Sequence, residues 1–93
     1  MLKLKFKKLQ STVVGSVNAE AAKIIDFMFQ EGVIGDEDMR SLHAQKDPRR
    51  QCRSLLGLLH TTEHPQAFVQ LYLAVKTLPN FEWLVDRIDN TGL

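Results

Sequence analysis

Ninety-three residues, 44% apolar and 25% charged, make one small domain of ordinary globular composition and exclude a disordered chain. A net charge of +1 excludes a global excess that would draw in polyanions, so any electrostatic role must come from segregated patches. The single cysteine excludes an internal disulfide, and no apolar run reaches the roughly 18–20 residues of a membrane span.

Strand alternation is absent, and helical spacing recurs six times. Residues 3–17 carry Leu4, Phe6, Leu9, Val13 and Val17 as a stripe of 3.6-type spacing, loosened by Gly15, where a bend in the first helix is expected. Asn18 reads as the cap of a second helix, with Glu20 in its first turn and Gly32 as its stop. The interior of that helix, "AAKIIDFMF", is apolar on most sides, which predicts the most buried helix of the fold. A short third helix begins near Gly35 or Asp36. Asp36, Glu37 and Asp38 sit in its first turn, where the helix dipole favours them, and Met39 and Leu42 point inward.

The fourth helix has the best-marked start and the oddest one. Asp47 can cap it and Pro48 suits its first position, while Cys52, Leu55, Leu56 and Leu59 fall at i, i+3, i+4 and i+7. Yet Arg49 and Arg50 occupy the first turn, where the dipole disfavours cations by about 0.3–1 kcal/mol each. The stretch "TTEHP" separates this helix from a fifth, Pro65 to about Thr77, with Ala67, Phe68, Leu71, Tyr72 and Val75 inward. "LPN" then starts a sixth, where Phe81, Leu84, Val85 and Ile88 repeat the spacing and Trp83 falls off the stripe. Connections this short make neighbouring helices roughly antiparallel. The expected fold is all-α, a single domain over residues 1–93 built as a compact six-helix bundle. Its core is Ile24, Ile25, Met28, Leu55, Leu56, Leu59, Phe68, Leu71, Leu84 and Ile88.

"EGVIGDEDMRSL" followed by "QCRSLLGLLHTTEHPQAFVQLYLAV" resembles the caspase recruitment domain, a branch of the death-fold superfamily. Val33 and Ile34 match the end of that family's second helix, Glu37 and Asp38 its acidic turn, and Pro65, Gln66, Ala67 and Phe68 a late "PQAF"-type segment. The resemblance covers about residues 20–88, and the first helix matches only in character. Gly35 stands where the family has a capping hydroxyl, and His64 where it usually has glycine. The resemblance implies homotypic binding in apoptotic and innate-immune assemblies, without catalysis. It also implies a contact that joins basic residues on the first and fourth helices to acidic residues on the second and third.

On that reading Arg49, Arg50 and Arg53 are the basic surface, with Lys7 and Lys8 extending it, and Glu31, Asp36, Glu37 and Asp38 are the acidic one. Arg49 and Arg53 lie four residues apart, opposite the leucine stripe, and arginine suits bidentate carboxylate pairing. The competing assignment is a solvated charged face, as most surface charges are. The expected partner is another death-fold domain, in a different protein or a second copy of this chain. A domain carrying both signs on separate faces can associate head to tail. No specific nucleic acid and no membrane surface is expected, and "MLKLKFKKL" is too interrupted by lysines for a signal-peptide core, so the expected location is the cytoplasm.

Three other chemistries compete for these residues. A small helical nucleic-acid binder is the main alternative, carried by "LKLKFKK", but no obvious recognition helix accompanies it. "HTTEH", residues 60–64, has the spacing of a zinc-protease motif, yet Pro65 pushes His64 out of helical geometry and no further ligand is evident. Cys52 with His43, His60 or His64 has the elements of a nucleophile and base, but it lies on the leucine stripe, where a cysteine serves as a small hydrophobe. No catalytic residue, metal or cofactor is therefore assigned. Trp83 is either a half-buried edge residue or an interface anchor.

Overall fold

In the computed structural model, which describes residues 2–92, every regular element is helical. In chain order they are α1 (Leu2–Lys8), α2 (Gln10–Val17), a 3-10 turn (Asn18–Glu20), α3 (Ala21–Gln30), α4 (Asp36–Ala44), α5 (Pro48–Thr61), α6 (Ala67–Thr77) and α7 (Glu82–Asp89). α1 and α2 are the two halves of one bent helix, so the architecture is the six-helix bundle that the spacing predicts.

The bend is at Leu9, not at Gly15, which lies within α2. Leu9 leaves helical geometry at φ −102° and ψ 16°, yet its N–H still donates to Lys5 O and its carbonyl accepts from Val13. The kink lets Phe6 and the trio Val13, Val14 and Val17 all reach the core. It does not bring in Leu4, which is 50% exposed, contrary to the expected stripe. Residues two apart on a helix are about 160° apart around its axis, so Leu4 and Phe6 cannot share a face.

Asn18 also acts differently from its expected role. Its side-chain amide donates backwards, to Val14 O at 2.9 Å and Gly15 O at 3.1 Å, so it closes the end of α2 instead of opening the next helix. α3 starts at Ala21 after Glu20, with no side-chain cap. Ala21, Ile24, Ile25 and Met28 face the core, but Phe27 is only half-buried and Phe29 is exposed, so α3 is buried on one side, not all round. Its end is well built. Gly32 takes φ +75°, its N–H donates to Phe29 O, and Val33 N–H donates to Met28 O at 2.9 Å. This Schellman arrangement, with Val33 and Met28 both buried, returns the chain to the core before α4.

At α5 the expected start is present in detail. The Asp47 carboxylate accepts from Arg49 N–H at 3.0 Å, and Pro48 holds the first position. Asp47→Ala should cost about 1 kcal/mol, because it orphans that donor; urea denaturation measures the loss, and an unchanged midpoint would show that the cap contributes nothing. α6 begins at Ala67, two residues later than expected. Pro65 and Gln66 form a turn instead, in which Gln66 N–H donates to His64 Nδ1 and Ala67 N–H to His64 O.

α3 packs against α4, α5 and α6, α2 lies on α5, and α1 packs on α6 and α7. All ten expected core side chains are buried. α1 is joined to the end of α7 by two lysines: Lys5 Nζ donates to Asp89 O at 3.2 Å and Lys8 Nζ to Gly92 O at 2.8 Å. Cations at the end of a helix satisfy its free carbonyls and its dipole.

Candidate functional site

The first turns of α5 project Arg49, Arg50 and Arg53 into solvent, while Cys52, Leu55 and Leu56 turn inward. None of the three arginines forms an ion pair among the described residues, where the pairs are Lys23–Glu20, Arg40–Asp36 and His43–Asp26. First-turn cations are therefore not neutralised by an ion pair among the described residues, and the Asp47 carboxylate is committed to the Arg49 backbone.

Lys7 and Lys8, grouped with the arginines in the sequence, diverge in space. Lys7 is exposed, and with Lys3 it lies near enough to His60 to disfavour the charged ring. His60 follows Arg53 by seven residues, about 10 Å along α5, so Lys7 lies towards the opposite end of α5 from the arginines. Lys8 instead reaches Gly92 beyond α7 and does not extend that face. Lys3 belongs beside Lys7, although nothing in its spacing singles it out.

The acidic residues gather around the turn from α3 to α4. Glu31 ends α3, while Asp36, Glu37 and Asp38 open α4, all four exposed. Buried Val33 and Ile34 anchor the turn between them. Asp36 is tied to Arg40 at 3.0 Å, which leaves Glu31, Glu37 and Asp38 without an ion-pair partner among the described residues. His43 reaches across from α4 to Asp26 at 2.8 Å, a link between these two helices that sequence spacing does not reveal.

The other candidates separate clearly. Burial pushes the Cys52 thiol up to about 11, so at neutral pH it is a protonated core side chain and not a nucleophile. Native protein at pH 8 should react slowly with a thiol reagent and quickly once unfolded; rapid labelling of the native form would contradict this burial. In "HTTEH", His60 lies on α5 with its ring 4.7 Å from Phe68, while His64 accepts from the Gln66 backbone in the following turn. No group of three metal-binding side chains occurs among the described residues. Trp83 stands 49% exposed on the outer side of α7. A surface cleft of about 400 Å³ lies between the start of α1, the end of α5 and the start of α6.

What these faces can do is bind charge. The arginines present rigid donor forks suited to carboxylates, and the α3–α4 turn presents free carboxylates. No protein-family model, curated protein or solved structure matches the chain.

Proposed function

We propose that this chain is a homotypic recruitment domain of the caspase-recruitment type, acting without catalysis in cytoplasmic apoptotic or innate-immune signalling assemblies. The observation that carries the reading is the triplet Arg49, Arg50 and Arg53, without an ion pair among the described residues, whose first two members sit in the first turn of α5, where the helix dipole opposes them. Those arginines, with Lys7 at the far end, receive the carboxylates of a partner death-fold domain. Glu31, Asp36, Glu37 and Asp38 offer the matching surface to another. If both faces are used by copies of one chain, the contact does not close on itself and a head-to-tail oligomer grows. The resemblance across "EGVIGDEDMRSL" and "PQAF" supports the assignment, as does a six-helix bundle.

Pull-down of the chain against a panel of recruitment domains, with generic duplex DNA as a parallel bait, tests it. Capture by one or a few of the domains is expected. Salt-sensitive binding to DNA with no domain captured would favour the nucleic-acid alternative and overturn the recruitment reading.

A further inference from the structure

His60 has a burial problem that the charged faces do not explain. Its Nε2 is shut off from solvent and has no hydrogen-bond partner. Its ring lies 4.7 Å from that of Phe68, and Phe68 lies 5.7 Å from Phe6, so three rings link α5 through α6 to α1. The charges that act on the ring are both positive. Lys3 and Lys7 approach from α1, and α6 offers the uncharged Phe68. Glu63 and His64, in the loop that follows α5, line the adjacent cleft.

α1 is also the element best placed to move. It is the shortest α-helix among the described residues, with seven, and Leu9 bends its junction with α2. The cleft of about 400 Å³ along its seam has Leu2 and Lys3 on one wall and Leu59 and Phe68 on the other.

We propose that His60 is an acid-sensitive latch, and that protonating its ring releases α1 from α6 and α7 by rotation about Leu9. The imidazolium must carry an N–H at Nε2, where no acceptor waits, and its charge is added beside Lys3 and Lys7. Moving α1 away removes both lysines and lets water reach Nε2 of the half-buried ring. The hydrogen bonds from Lys5 and Lys8 to the end of α7 oppose release, but both are exposed.

Burial, then Lys3 and Lys7, hold the His60 pKa below its ordinary value. The detached state thus binds the proton more readily. Docking of α1 is fully present above the ordinary histidine value of about 6.5 and is lost as pH falls from there towards the depressed value.

Hydrogen exchange resolved by residue between pH 8 and 5 tests the latch on the whole chain, with rates converted to protection factors. Protection of the amides from Phe6 to Leu9 should fall by up to about tenfold per pH unit below 6.5, with α3 unchanged. His60→Phe keeps the aromatic contact, removes the titration and should flatten the α1 profile. Lys3→Gln with Lys7→Gln should shrink the loss. An NMR titration of the His60 ring should give a pKa below 6.5 and serves if His60→Phe does not fold. Constant α1 protection from pH 8 to 5, an equal loss in folded His60→Phe, or a His60 pKa at or above 6.5 overturns the proposal.

Discussion

Leu56→Ala should destabilise the domain by about 2–5 kcal/mol, which is much of the total stability of a typical small domain. Leu56 is 1% exposed and lies mid-way along α5, the helix that meets α2, α3 and α4. Truncation removes buried methyl groups and leaves a cavity whose walls belong to separate helices, so the site cannot simply collapse. Leu58 supplies the control. It is only partly buried two positions along the same helix, and its truncation to alanine should cost clearly less. Urea denaturation of both variants separates the two costs, and an equal loss for both would mean that the register of α5 is wrong.

Arg49→Glu and Arg53→Glu should each abolish homotypic association while leaving the fold intact. The reversal puts like charges together at the proposed contact, and removing a positive charge near the start of α5 relieves its conflict with the dipole. Neither arginine has an intramolecular ion pair to lose among the described residues. Wild-type association should also weaken as salt rises, since exposed charges are screened within about 10 Å at 0.1 M. Binding and circular dichroism measured on the same two proteins decide the matter. Full binding by folded variants would sink the basic-face mechanism and leave the arginines as ordinary surface charge.

The helices that were easy to read carry their signals locally. Asp47, Pro48 and the Cys52–Leu59 spacing define α5 within one stretch of chain, and its cap and buried face follow from them. The Gly32 stop is equally local, because a left-handed residue after an apolar helix has few other uses. The misread positions depend on what lies across the fold. Asn18 caps either a helix beginning or a helix ending, and the free carbonyls of Val14 and Gly15 decide which. Pro65 is compatible with a first helical turn, but the His64 side chain and carbonyl engage the next two amides in a turn instead.

The candidate site divides along the same line. The three arginines were legible because a face opposite a leucine stripe must be solvent-facing. Lys8 was not, since its partner at Gly92 is 84 positions away in sequence. From the sequence His60 reads only as part of a metal motif or as a base for Cys52, because its packing against Phe68 and its nearness to Lys3 and Lys7 are products of tertiary structure.

The closure of α1 on α7 also bears on the order in which the molecule assembles. Bringing Lys5 to Asp89 and Lys8 to Gly92 closes loops of the same 84-residue separation, whereas the turns joining α3 to α4 and α4 to α5 close within a few residues. Chain-closure entropy must be met before so distant a contact returns anything, so α1 should dock after the α3–α5 nucleus has formed. Phe6→Leu, which loosens that late contact, should accelerate unfolding and leave the refolding rate nearly unchanged, while Leu56→Ala slows refolding. A pair of chevron plots would show the two variants bending opposite arms.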